Sequence, residues 1–443
     1  MSAVLHRSFK NRLPMVERGQ GVYLYDIHGK QYLDASGGAA VSCLGHDHPL
    51  VLNRIREQLD KVSFAHSSFF SNQPSEALAE KLVSLAPKGF GRGSVAFLSS
   101  GSEAMEAALK LARQYHVENG EPDRVKFISR KMSYHGNTLG ALAIGAHPQR
   151  KEIYHPLLMD VTHISSCYPY REQLSNESEI QYADRLSLEL ERAILDLDFN
   201  TVAALVIEPV SGASLGCVTP VAGYLKSIRA ICKRYGVLLI ADEVMCGLGR
   251  TGTMFALEQE EISADIITIA KGLGAGYQPI SGIMAAENVV DCILAGSATL
   301  AHGHTYMSHA IACAGACAVI EAIETQDLLA NVHRQGAALA LQLNERFSNH
   351  PNVGEIRGRG LFQAIELVQC RETKKPFARS GNLTTKIRTT ARDNGLICYP
   401  SAGCADGING DHVLLAPPYI VDQSHIDEIC EKLEQTLNSC LAA

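Results

Sequence analysis

No stretch of the chain reaches the run of about eighteen apolar residues that a membrane-crossing helix needs. The opening Met1-Ser-Ala-Val-Leu-His-Arg has no apolar core of the kind a secretion signal carries. A cytoplasmic protein is therefore expected, with no membrane partner. Excess positive charge is missing as well: 40 Lys and Arg stand against 47 Asp and Glu, and a net charge of -7 offers no general attraction to nucleic acid or anionic lipid. The thirteen cysteines include no C-x-x-C pair, and an odd count without a signal reads as reduced thiols. Cys313 and Cys317 sit among alanines on an expected helix and read as core. His302, His304 and His309 have no acid or cysteine cluster nearby, so no metal is expected. Internal repeats, low-complexity tracts and Pro/Gly/Ser-rich linkers are absent too.

What is present points to chemistry at strand ends. Ala264-Asp-Ile-Ile-Thr-Ile-Ala-Lys-Gly-Leu-Gly274 runs an apolar, β-branched strand straight into one lysine, Lys271. An ammonium at the mouth of such a strand is desolvated, which lowers its pKa and leaves a neutral amine able to form a Schiff base with an aldehyde. A surface lysine just past a strand end fits the same stretch. Two further apolar runs end in acids: Thr201-Val-Ala-Ala-Leu-Val-Ile-Glu-Pro-Val210 carries Glu208, and Gly236-Val-Leu-Leu-Ile-Ala-Asp-Glu-Val244 carries Asp242. Runs this apolar suit strands buried on both faces of a parallel sheet, and open α/β sheets bind ligands beyond their strands' carboxyl ends. Glu208, Asp242 and Lys271 are thus expected at one crevice. A buried carboxylate there calls for a cationic partner, and a pyridinium nitrogen would serve.

Ser94–Leu98 reads as a strand, Ser99-Ser-Gly-Ser102 as a turn and Glu103 to His116 as a helix. Such a turn offers an anion free N–H groups, hydroxyls and the positive end of a helix dipole. Ser100 and Glu103 also stand at capping-box spacing, which needs no ligand. Tyr134-His135-Gly136 suits an aromatic ring laid over a flat heterocycle, or a packed loop tyrosine. Helices are expected at Pro49 to Lys61, Ser75 to Leu85, Ala183 to Leu197 and Val221 to Tyr235, the last closed by Gly236. A long helical stretch from His309 to Phe347, a strand from Arg359 to Val368 and a closing helix from Asp422 to Leu441 follow.

In chain order come an anion turn, an aromatic, two acids, a lysine and then His304-Thr305. With Tyr25-Asp-Ile-His-Gly-Lys-Gln-Tyr-Leu-Asp34 near one end and Ala416-Pro-Pro-Tyr419 near the other, the sequence resembles the class III pyridoxal-phosphate-dependent aminotransferases over nearly its whole length. The resemblance implies an α/β protein with the type I fold of pyridoxal-phosphate-dependent transferases: a mostly parallel, doubly wound sheet in a large domain plus a smaller α+β domain. Domains are expected at 51–308 and 309–443, with 1–50 joining the smaller one, and two domains suit a chain of 443 residues.

It further implies that Ser100, Gly101 and Ser102 cup the phosphate of pyridoxal 5'-phosphate and that Tyr134, beside His135, stacks on its ring. Asp242 would pair with the ring nitrogen, Glu208 support that network, Val244 cover the other ring face and Lys271 form the Schiff base. Thr305 would reach the phosphate from the neighbouring subunit of a homodimer, and Gly38, Ala39, Phe69 and Phe70 would line the substrate pocket.

Several departures narrow the substrate. Relatives using ornithine or 4-aminobutyrate carry Glu-Pro-x-x-Gly-Glu, whereas this chain has Glu208-Pro-Val-Ser-Gly-Ala213. The glutamine frequent after Asp-Glu-Val is Met245, followed by Cys246, and Arg392 is the last arginine, so none stands shortly before Pro417-Pro418. These features resemble ω-amino-acid and amine:pyruvate transaminases. A 2-oxoglutarate-linked diamine, 4-aminobutyrate or diaminobutyrate transaminase, a decarboxylating enzyme or an aminomutase would share every cofactor residue, and a cofactor-binding regulator would lack a DNA-reading domain here. Gly247-Leu-Gly-Arg-Thr-Gly252 fits the dinucleotide pattern, but Glu243 to Cys246 separate it from its strand and no helix is expected to open on it.

Overall fold

Side chains of successive strand residues point to opposite faces, and here both faces are covered. The computed structural model describes residues 3–8 and 13–441; the outer parts of the 1–50 and 309–443 segments lie outside them. Val202–Ile207, Leu238–Asp242 and Ile266–Ile269 are buried along their whole lengths. Ala204, Val206, Ile240 and Ile266 pack against Ala104, Met105 and Ala108 of the helix Gly101–Glu118. Leu205, Leu239 and Ile267 face the opposite layer, with Leu186 and Leu190 of Glu179–Asp196 and Ile228 of Tyr224–Tyr235. Two apolar faces are why these runs carry no polar alternation.

The central sheet has seven strands in the order Ser94–Leu98, Ser281–Ala285, Ile266–Ile269, Leu238–Asp242, Val202–Ile207, Lys126–Arg130 and Thr162–Ile164. All run parallel except Ser281–Ala285, which is antiparallel to both neighbours. The expected doubly wound, mostly parallel α/β sheet is what forms. Among the described residues no helix is long and apolar enough to cross a membrane.

Around this layer lie two smaller sheets. Val16–Gln20, Tyr23–Asp26 and Gln31–Asp34 form a meander whose last strand pairs in parallel with Leu396–Ile397. Val353–Arg359, Phe362–Cys370, Asp411–Leu415 and Tyr399–Ala402 form an antiparallel sheet.

Two elements differ from the sequence expectation. The stretch from His309 to Phe347 is two helices, Ala310–Thr325 and Leu328–Phe347, broken where Asp327 takes left-handed backbone, φ 50°. The break lets one apolar pattern pack on two sets of neighbours within one continuous core, since the first helix packs on Pro49–Leu59 and Gln73–Ser84 and the second on Gln423–Leu441. On that packing we propose that the small domain begins near Gln326 rather than at 309. The strand expected from Arg359 is a hairpin, because Gly360, φ 56°, turns the chain between Arg359 and Phe362. Gly360 backbone also lies against Gly336 so closely that a Cβ on Gly336 would come within 2.5 Å of it.

Candidate active site

Glu208 follows Val202–Ile207, Asp242 ends Leu238–Asp242 and Lys271 follows Ile266–Ile269, so parallel pairing brings all three to one edge of the sheet. They line one cavity of about 480 Å³, within the range of small-molecule sites. Ser100, Gly101 and Ser102 line it from the helix start, and Tyr134, His135 and Val244 from the neighbouring loops.

Lys271 sits in left-handed backbone, φ 47°, opening the short turn Lys271–Leu273. A side chain bearing a Cβ is disfavoured there, and such strain concentrates at functional sites. Burial pushes its ammonium down to about 8, against the opposing pull of Asp242 and Glu208. The neutral amine that Schiff-base chemistry needs is therefore accessible near neutral pH.

Asp242 is 5 % exposed. Its Oδ1 accepts from the Val244 amide at 3.1 Å and the Thr268 hydroxyl at 3.3 Å, and its Oδ2 lies 2.7 Å from His135 Nδ1. A carboxylate only accepts, which assigns the proton of that pair to Nδ1. Glu208 ties two loops together: Oε1 accepts from the Gly212 amide at 2.9 Å and Oε2 from the Tyr134 amide at 3.3 Å. Burial holds its carboxyl above the usual range, the Asp242 charge adding to the shift and His135 opposing it. Arg130 donates to the Glu208 carbonyl from below.

At the helix start the capping box forms, with the Glu103 amide donating to Ser100 Oγ at 3.3 Å and Glu103 Oε2 accepting from the Ser99 and Ser100 amides at 2.9 and 3.1 Å. First-turn amides have no acceptor within a helix, so those of Gly101 and Ser102 are left for an anion. Ser102 Oγ accepts from the Asn137 amide at 2.9 Å. A Cβ on Gly101 would press on Val244 at 3.2 Å, so glycine keeps the cavity floor open. Cationic lysine, buried carboxylate, aromatic ring and helix N-terminus together fit a phosphorylated, aldehyde-bearing pyridine.

The class III aminotransferase family model matches residues 4–437. The chain belongs to the class III aminotransferases. An uncharacterised aminotransferase of Schizosaccharomyces pombe is 45% identical over 99% of this chain and 96% of its own. The chloroplastic gamma aminobutyrate transaminase 3 of Solanum lycopersicum is 33% identical over 96% of this chain and 80% of its own. Among solved structures, the omega transaminase of Pseudomonas jessenii in complex with PMP matches with a TM-score of 0.90 at 35% identity, covering 97% of this chain and 93% of that one. The protein is accordingly an enzyme of the type I fold, from a family that uses pyridoxal phosphate.

Not every anticipated residue of this aminotransferase reaches the cavity within one chain. Thr305 is exposed, Phe69 and Phe70 are 78% and 68% exposed, and neither these nor Gly38 and Ala39 line it. Val41 lines it from the 37–41 segment instead. Sequence reading missed Thr268, which stands opposite Asp242 in the strand register and was legible only as the one hydroxyl in an apolar run. It also missed Arg150, whose guanidinium lies 4.5 Å from the centre of the Tyr134 ring. Gly247–Gly252 folds as a turn, and its Arg250 is buried beneath the C-terminal segment, donating to the Leu361 and Pro417 carbonyls at 3.0 and 2.6 Å.

Proposed function

We propose that this aminotransferase holds pyridoxal 5'-phosphate on Lys271 and moves an amino group from an ω-amino acid or amine to an oxo acid, pyruvate before 2-oxoglutarate, as a cytoplasmic homodimer. The convergence of a buried, weakly basic Lys271 with the Asp242–His135 pair at an open helix N-terminus carries the reading. When bound, the cofactor supplies a ring that accepts the electrons of a broken Cα–H bond. The chain's own residues do the remaining work. Gly101 and Ser102 amides bind the phosphate at the helix's positive end. Asp242, fixed by His135, Thr268 and the Val244 amide, keeps a proton on the ring nitrogen. Tyr134 and Val244 would flank the ring, and Lys271 Nζ would serve as base and then acid in the proton transfer, for which a pKa near the working pH is suited.

Acceptor choice rests on the C-terminal wall. Arg392 is the last arginine of the chain, and Arg250, 1% exposed, gives its Nη1 to the Leu361 and Pro417 carbonyls and does not line the cofactor cavity. Lysine lacks the planar fork that grips a carboxylate, so the second carboxylate of 2-oxoglutarate meets no suitable partner on that wall. With one good donor, kcat/KM is expected to be at least about tenfold higher for pyruvate, a difference of about 1.4 kcal/mol. A clear preference for 2-oxoglutarate would return the protein to the glutamate-linked branch. Release of carbon dioxide in step with turnover would instead mark a decarboxylating enzyme.

Thr305, exposed on its own subunit, is proposed to reach the partner's phosphate. In a mixed dimer of Lys271→Ala and Thr305→Ala subunits, one site carries both lesions and the other neither, so the intact site keeps near-normal activity. One site dead from Lys271→Ala and the other weakened in cofactor binding by Thr305→Ala, with no site at wild-type level, would place Thr305 in its own subunit's pocket.

A further inference from the structure

A second cavity of about 1110 Å³ approaches the cofactor cavity through the contact between Tyr134 and Arg150. Tyr134 lines the first cavity, while Arg150, stacked 4.5 Å from the centre of its ring, lines the second. The second cavity is strongly electropositive. Among the described residues, Arg7, Arg379, Arg388 and Arg392 line it with Arg150, against the single acid Asp411. That acid feels the Arg379 charge, but it is 4% exposed, accepts from the Thr384 hydroxyl, and burial raises its pKa against that pull. Arg388 donates to the Pro400 carbonyl at 3.2 Å, and the acid nearest Arg392 is the outward Asp393 at 3.8 Å. The accumulated charge is felt by its neighbours, since Arg150 and Arg379 add to the burial that lowers the pKa of His147, and Arg150 also acts on Lys271.

We propose that this arginine-lined cavity receives the distal carboxylate of a long ω-amino-acid donor, with Arg150 as its first contact. The inference rests on the aminotransferase reading and selects among its donors. A substrate whose amine reacts at Lys271 must extend past the Tyr134 ring before its tail meets Arg150. A tail ending in a carboxylate then gains a bidentate, charge-assisted pair. A diamine brings a second ammonium into the same field and is repelled, and a simple alkylamine gains nothing from it.

The test compares 6-aminohexanoate, hexylamine and 1,6-diaminohexane as donors to pyruvate, in wild type, Arg150→Gln and Arg150→Lys. Wild type is expected to prefer 6-aminohexanoate over the diamine by about 30-fold or more in kcat/KM, the scale of a desolvated charge pair. Arg150→Gln should erase most of that preference through KM, and Arg150→Lys should restore part of it. Independently of turnover, calorimetry should show hexanoate binding to wild-type holoenzyme and weakening at least about tenfold in Arg150→Gln. A wild-type preference for the diamine or hexylamine overturns the proposal. So does an equal loss with all three donors in Arg150→Gln, which would confine Arg150 to propping Tyr134. If wild type transfers nitrogen from none of the three but does so from α-amino donors, the site assignment fails alone; if it transfers from no amine at all, the aminotransferase reading fails with it.

Discussion

Lys271→Ala is expected to lose the visible absorbance band of a protein-bound Schiff base and nearly all turnover. The acid–base role alone is worth about 10²- to 10⁴-fold, and the covalent attachment is lost in addition. The lysine forms the mouth of Ile266–Ile269 without holding the strand, whose packing comes from Ile266, Ile267 and Ile269. The variant should therefore fold, with a circular dichroism spectrum and a cooperative melting transition like those of wild type. A folded variant that keeps the band and the rate would remove Lys271 from the chemistry.

Asp242→Asn should retain the cofactor and lose most of the rate. A neutral amide is nearly isosteric and can still accept from Thr268 and the Val244 amide, but it cannot stabilise a positive ring nitrogen. Losing a charge-assisted hydrogen bond at a buried site costs about 2 to 4 kcal/mol, or about 30- to 1000-fold in kcat. His135 Nδ1, 2.7 Å from Asp242 Oδ2, would lose its ionic acceptor in the same step. Cofactor affinity within a few-fold of wild type, together with depressed kcat, is the expected signature. Wild-type turnover in the variant would assign the ring-nitrogen role to another group.

The strands that build the site were legible because each is buried on both faces, so that an unbroken apolar run ending in Glu208, Asp242 or Lys271 has few other uses in a soluble chain. The helix start was equally legible. The capping box formed there leaves room for the proposed phosphate site, since Ser100 caps the helix through Glu103 while Gly101 and Ser102 line the cavity. The break at Asp327 was not legible. Helical periodicity continues through it, and only the three-dimensional arrangement of the different helices packed on either side requires the chain to turn. Arg150 left no local signal either, because its partner is an aromatic ring on a different loop and its cavity is assembled from segments near residues 150, 380 and 400. Side chains that complete a substrate pocket across distant segments, or across a subunit boundary as proposed for Thr305, follow from packing rather than from periodicity.

Borohydride reduction of the wild-type holoenzyme, followed by proteolysis and mass mapping of the modified peptide, tests the central claim most directly. Reduction fixes a Schiff base as a stable secondary amine on whichever lysine forms it. The mass of a reduced pyridoxyl phosphate is expected on Lys271 alone, in the peptide running through Ile269-Ala270-Lys271-Gly272. A modified lysine elsewhere, with Lys271 unlabelled, would contradict the assignment of this cavity as the active site.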